Sequence, residues 1–348
     1  MTEANEAARK RLLDGGRILV TRLRYIGDVI LSLPLVGALR RAFPDAEIHY
    51  LADPAPLRVL DEHPDVDRLW SLERGTLPMA RLMRALRQQR FAAVIDLFSN
   101  PRSALLVRAT GAAVRIGEAR RGRRHLYTVQ RQLPLGRSAL LQHLDAATFL
   151  GVENPRVMAP RIHLSSEERA RGAVWNEGTA PHVLLHSAAT QPAKEWPHPM
   201  ALDLVRRLLD TGHRVLLSTA PHRPQTSAEL AAAEPRARLL DAMPLRELLA
   251  VIVSMDAVVG VDGAIVHASV ALGRPTLALF GPTEPQIWFP YAALGPFRVL
   301  HAGVDCGRCD RYWCPERRCM GAIQVDEVER NVRELLQGTH SVSGSGKP

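Results

Sequence analysis

Two strand-to-helix turns and one lysine loop in this chain carry side chains able to hold a diphosphate or accept a proton. The run from Val258 to Pro290, VVGVDGAIVHASVALGRPTLALFGPTEPQIWFP, leaves an apolar strand at Asp262 and Gly263 and enters a helical stretch, Ala264 to Leu272, that Gly273 stops. Unpaired amides and the helix dipole at such a start attract anions, and open α/β sheets bind ligands on that edge. A plain connection without a ligand has the same appearance. Near the N-terminus, strand Ile18 to Leu23 runs through Arg24, Tyr25, Ile26 and Gly27 to Asp28, with a helix expected from Val29. An aspartate at a helix start is held ionised and is able to take up a proton; it also serves as a simple N-cap. In HSAATQPAKEWPHP, Lys194 lies in a loop after a strand, stiffened by Trp196 and Pro197, and is placed either to reach a phosphate or to sit in solvent.

Two further clusters invite other chemistry. Cys306, Cys309, Cys314 and Cys319 have the spacing C-x2-C-x4-C-x4-C, near that of a zinc knuckle, so structural zinc is one reading of the segment. With Tyr312, Trp313, Arg317 and Arg318 alongside, a nucleic-acid module is its functional rival, although Gly307 is the one glycine between the outer cysteines. The stretch VRIGEARRGRRHLYTVQR includes Arg120, Arg121, Arg123 and Arg124, which suit phosphates and acidic sugars or form a solvated basic loop. Asp53 ends the second strand, where dinucleotide folds keep a ribose-binding acid. The first turn offers Gly27 alone instead of G-x-G-x-x-G, which weighs against bound NAD and an oxidoreductase or epimerase.

The elements that must position these residues alternate between short apolar runs and longer helical ones. Strands are expected at Ile18 to Leu23, Glu47 to Ala52, Ala93 to Phe98, His182 to Ser187, Arg214 to Thr219, Ala257 to Val261 and Thr276 to Phe280. Helices are expected at Val29 to Ala42, Met79 to Arg90, Ala139 to Leu150, Ser166 to Asn176, Met200 to Asp210 and Leu245 to Ser254. Such alternation builds parallel sheets, so the fold class is α/β with two doubly wound, Rossmann-like domains. The expected division is an N-terminal extension over 1–16, a first domain over 17–165, a second over 166–338 and a disordered tail over 339–348.

With 348 residues, of which 46% are hydrophobic, the chain can bury two cores. The first residues lack the apolar segment of a signal peptide and no window reaches the roughly 18–20 apolar residues of a membrane span, so a cytoplasmic location is expected. Four cysteines confined to one short segment do not make a secreted disulfide framework. Net charge of +9 points to a polyanionic partner: nucleic acid, an anionic membrane face or a phosphorylated substrate.

The Arg24 to Asp28 turn, the Lys194-Glu195-Trp196-Pro197 loop, Asp262 with His267, Ala271-Leu272-Gly273, Leu279-Phe280-Gly281-Pro282-Thr283 and Trp288 together resemble glycosyltransferase family nine, from about Arg17 to about Leu336. The cysteine stretch is similar to the C-terminal region of the subgroup adding second and third heptoses. The resemblance implies GT-B architecture, two Rossmann-like domains facing across a cleft, the first binding acceptor and the second nucleotide sugar. It implies inverting transfer of heptose from ADP-heptose to the inner core of lipopolysaccharide, with Asp28 as general base and no cofactor or catalytic metal. Lys194, the Gly263 and Ala264 amides and Thr283 would serve the donor site, Asp262 would contact sugar hydroxyls, and His267 would support that site or pack. Arg24 and the four arginines at 120–124 would meet the acceptor. No nucleic acid is implied; the expected location is the cytoplasmic face of the inner membrane, at its anionic surface. Where many relatives carry Ser or Thr followed by Gly, this chain has Gly263-Ala264, and it reads APHRPQ where many have an acid that touches the ribose.

Overall fold

The structure, a computed structural model, describes residues 2–342 apart from positions 221, 222, 305, 307 and 308, with the backbone alone for 339–342. The chain divides into two compact units, Met1–His163 and Leu164–Pro348. In the first, β1 (Arg17–Thr21), β2 (Glu47–Ala52), β3 (Arg68–Ser71), β4 (Ala93–Asp96), β5 (Val114–Glu118) and β6 (Val129–Arg131) form a parallel sheet in the order β3-β2-β1-β4-β5-β6. Ile18 pairs in register with Ile48 on one side and Ala93 on the other. In the second, β7 (His182–His186), β8 (Arg214–Ser218), β9 (Arg238–Leu240), β10 (Ala257–Val261), β11 (Thr276–Phe280) and β12 (Phe297–His301) lie in the order β12-β11-β10-β7-β8-β9. Both sheets follow one doubly wound plan, in which the strand order reverses between β1 and β4 and between β7 and β10.

The central strands read as continuous apolar runs because helices cover both faces of each sheet. β10, AVVGV, and β11, TLALF, are buried along their whole length. In the first unit Leu19, Leu23, Phe91 and Val94 pack with Leu86, Leu106 and Val107 from two covering helices. In the second, Val183, Val259 and Leu277 pack with Trp196, Leu204 and Val328, and the Trp196 indole donates to the Ile323 carbonyl at 3.2 Å.

Several boundaries differ from the sequence expectation. Five strands, β3, β5, β6, β9 and β12, carry too many polar or half-exposed residues to stand out as apolar runs. The basic stretch at 114–131 is thus two parallel strands joined by the connection 119–128, which contains a 3₁₀ turn at Arg124–Leu126, not one loop. The first long helix runs Ile26–Ala42, beginning three residues before Val29. The expected Ala139 to Leu150 helix tightens into a 3₁₀ segment at Asp145–Leu150. Residues 3–13 form a helix capped by Thr2, which buries Ala8 and Leu12 and holds the Phe149 carbonyl through Asn5 Nδ2 at 3.1 Å. The last helix, Val325–Val342, carries regular structure into the expected tail; positions 343–348 lie outside the described residues.

Candidate active site

In the first unit the candidate residues gather beyond the carboxyl ends of β1 and β4, where open α/β sheets bind ligands. Asp28 is the third residue of the Ile26–Ala42 helix, whose N-cap, Tyr25, makes no side-chain cap bond. Its Oδ1 accepts a short hydrogen bond from Arg22 Nη2, and both side chains are mostly buried. The Arg22 guanidinium lies over the Phe98 ring, 4.5 Å from its centroid, while its Nε is buried without a partner among the described residues. A flat cation between an aromatic face and a carboxylate has little freedom to swing.

Arg24 donates from Nε to Asp53 Oδ2 at 3.2 Å, so Asp53 is engaged in an ion pair at the end of β2. Next to Phe98, Asp96 is fully buried and accepts from the Phe98 and Ser99 amides, each at 2.9 Å, and from the Tyr127 hydroxyl at 2.7 Å. Burial pushes its carboxyl pKa up. These bonds hold Ser99 in the left-handed region, φ 50°, which a non-glycine residue adopts at a cost. Arg123 Nε donates to the Ser99 carbonyl at 3.2 Å and Arg120 Nε to Glu118 Oε2 at 2.6 Å, whereas Arg121 and Arg124 are exposed.

In the second unit Lys194, Asp262 and Thr283 follow β7, β10 and β11, three strands adjacent in the sheet. Lys194 Nζ and Thr283 Oγ1 each donate to Asp262 Oδ2 at 2.6 Å, and Asp262 is 7% exposed. Gly263 caps the Ala264–Ala271 helix, whose first amides have no acceptor within the helix. The close return of that helix onto the sheet needs Gly260: a Cβ there would lie 2.8 Å from Val266 Cγ1. His267 is buried in the same helix, Nδ1 3.0 Å from the Tyr291 hydroxyl.

Beside this cluster, buried Glu195 meets Arg223 Nη2 at 3.2 Å and Arg317 Nη1 at 3.7 Å. Arg223 comes from the APHRPQ loop, in which Pro221 and His222 lie outside the described residues. His186, at the end of β7, bonds Ser218 Oγ through Nδ1 at 2.7 Å, and burial lowers its pKa to about 4. It is therefore neutral at pH 7.

The cysteine segment packs as a brace. The Ala193 amide donates to the Tyr312 carbonyl at 3.2 Å and the Asp310 amide to the Pro282 carbonyl at 3.1 Å, fastening both the Lys194 turn and the Thr283 loop. A Cβ on Gly281 would lie 2.4 Å from Met320 Sδ and 3.0 Å from Cys319 Sγ. Cys306 and Cys309 are exposed, Cys314 is half-buried and Cys319 is buried, all as free thiols. Burial raises the Cys319 pKa. Among the described residues no three His, Cys, Asp or Glu side chains are gathered to hold a metal ion.

Sequence reasoning singled out Asp28, Lys194, Asp262 and Thr283 separately; it passed over Arg22 and Tyr291, which have no motif of their own, and gave no role to Glu195 of the Lys194-Glu195-Trp196-Pro197 loop or to Arg223 of APHRPQ. The neighbouring families agree with this geometry. The model of glycosyltransferase family 9 (heptosyltransferase) matches residues 79–317. Lipopolysaccharide heptosyltransferase 3 of Escherichia coli is 24% identical over 288 residues, 78% of this chain and 85% of that protein. A glycosyl transferase family 9 structure from Veillonella parvula superposes with a TM-score of 0.82 at 22% identity, covering 93% of this chain and 97% of that one. The structure of E. coli ADP-heptose lps heptosyltransferase II gives 0.80 at 23% identity, covering 93% and 99%. Two doubly wound units of GT-B type, with Lys194, Asp262 and Thr283 gathered at the sheet edge of one and a carboxylate at a helix start in the other, thus have a common explanation: the chain is a glycosyltransferase and belongs to glycosyltransferase family 9, the heptosyltransferases.

Proposed function

We propose that this enzyme transfers heptose from ADP-heptose to the inner core of lipopolysaccharide, with inversion at the anomeric carbon. The nature of the relatives supports the donor and acceptor class, since similar chains are lipopolysaccharide heptosyltransferases. The observation that carries the donor site is the convergence of Lys194 and Thr283 on Asp262 at the mouths of three adjacent strands. A donor diphosphate would draw Lys194 from Asp262 and place its charge beside the Gly263 and Ala264 amides, leaving the carboxylate to bond sugar hydroxyls.

In the reaction the acceptor hydroxyl oxygen forms a bond to C1 as the bond from C1 to the phosphate oxygen breaks, and the electron pair leaves with ADP. The hydroxyl becomes acidic as that bond forms, and Asp28, in the first helical turn, takes its proton. Lys194 and the helix amides meet the charge that grows on the leaving diphosphate, which is the role a divalent cation plays in other transferases. The first unit then serves the acceptor, with Arg24 and Arg120 to Arg124 near its sheet mouth, and the second serves the donor. The cysteine segment retains a structural zinc as its second reading, beside bracing of the donor loops; metal analysis of purified protein decides it, one zinc per chain against none.

Asp28→Asn is expected to lower kcat by about 10²–10⁴-fold with ADP affinity unchanged; turnover within a few-fold of wild type would remove the base assignment. Lys194→Ala is expected to weaken ADP binding about tenfold or more and to lower kcat as well. Calorimetry showing unchanged affinity, with unchanged rate, would refute the phosphate role. A thermal-shift panel of ADP, UDP and GDP conjugates identifies the nucleotide, ADP-heptose being expected to stabilise most.

A further inference from the structure

The positive charge of this protein is not spread over it. Between positions 74 and 131 stand thirteen arginines against two acids, an excess of eleven, while the excess over the whole chain is nine; all other residues together are net acidic by two. Both acids of that span, Asp96 and Glu118, are buried. Elsewhere arginines pair freely with carboxylates, but among the described residues of this span only Arg120 is in an ion pair. Arg131, buried, senses Glu118, Asp96 and Asp145 from farther off.

Five of these arginines, Arg81, Arg84, Arg87, Arg102 and Arg108, lie on two neighbouring helices of the first unit, Thr76–Gln88 and Pro101–Ala109, neither of which contains an acidic residue. The first buries only Leu86 completely. Leu77, Arg81, Arg84 and Gln88 recur at helical spacing along its outer side, all exposed, with Leu77 60% accessible. On the second helix Leu105 is 48% accessible, between Arg102 and exposed Arg108. Exposed leucines set among unpaired arginines, on helices that lie flat on a sheet, match a bilayer interface: arginines meet lipid phosphates and leucines enter the acyl boundary. Neither helix carries an aromatic ring on which a base would stack, which disfavours single-stranded nucleic acid as the occupant.

We propose that the outer face of the Thr76–Gln88 and Pro101–Ala109 helices docks on an anionic phospholipid bilayer. The inference concerns where the enzyme sits, not what it transfers, and its test reads binding without turnover. The full-length protein is sedimented with phosphatidylglycerol-containing vesicles and with pure phosphatidylcholine vesicles. Binding to the first, lost in 0.5 M salt, and little binding to the second are expected, by about tenfold or more. The double variant R81E/R84E should lose at least about tenfold in binding to the anionic vesicles, and Leu105→Asp should weaken it too. R169E/R330E, with the same change in net charge on exposed positions of the second unit, should bind nearly as wild type. Retained binding in R81E/R84E, or equal loss in the R169E/R330E control, overturns the assignment. Binding to single-stranded RNA as tight as to the vesicles, with the same variant sensitivity, overturns it in favour of nucleic acid. Unchanged circular dichroism and thermal unfolding show that loss of binding is not loss of fold, since all five positions are on the surface.

Discussion

At the scale of single residues, the unexpected contributor is Arg22. Nothing in the order of residues marks an arginine after a strand as special, yet its guanidinium spans from the Phe98 ring to the Asp28 carboxylate. The hydrogen bond goes to Oδ1, so in the proposed reaction the other oxygen of Asp28 receives the proton and Arg22 acts as a positioning residue. Replacing it by Ala should lower kcat by about 10–100-fold with the donor KM little changed, because misplacement by about 1 Å costs that much. Arg22→Lys, which keeps the charge but not the planar fork, should recover only part of the rate. A kcat within twofold of wild type for both variants would show that Asp28 holds its place unaided. Lys194, Asp262 and Thr283 were visible as residues in promising loops. That they share one oxygen was not, because they are up to ninety positions apart and meet through strand order alone.

At the scale of elements, the strong signals in the sequence were the buried ones. β2, β10 and β11 and the Leu245–Ser254 helix lie where their apolar runs predict. Edge strands such as β3 and β9, three or four residues long with one side in water, leave no comparable run. Helix contacts were hidden as well. The Ser166–Ala173 helix packs against Leu245–Ser254 through Gly172, where a Cβ would lie 1.8 Å from the Ala250 carbonyl oxygen. Arg246 Nε fastens the same pair to Glu168 Oε1 at 2.7 Å. Because the obstacle is backbone, the helices must separate to admit a methyl group. Gly172→Ala should destabilise the second unit by about 1–3 kcal/mol. Urea unfolding checks this; a loss under about 0.5 kcal/mol would mean that the helices slide freely.

At the scale of the whole molecule, buried His63 and His143 and half-buried His186 link folding to pH. Burial lowers His63 and His186 to about 4 and His143 well below its ordinary 6.5. The unfolded chain takes up protons that the folded one refuses, so stability is complete above about pH 6.5 and falls as pH drops towards 4. At about 1.4 kcal/mol per pKa unit, His63 and His186 each contribute at most about 3 kcal/mol. Unfolding free energies at pH 7.5 and 5 should differ accordingly, and His63→Gln should flatten part of the slope; equal stability at both pH values would contradict the burial of these rings. No helix among the described residues is long and apolar enough to cross a membrane. The sequence by itself determined the α/β class and the family and marked Asp28, Lys194, Asp262 and Thr283 as candidates, because buried strands, helix starts and glycine stops are local and leave periodic or compositional marks. Only the tertiary structure decided which of those residues touch, that Arg22 bonds Asp28, that the cysteine segment braces the loops carrying Lys194 and Thr283, and that the unpaired arginines share a surface with exposed leucines. Those outcomes depend on strand order and helix packing between residues far apart in the chain, and no local pattern encodes them.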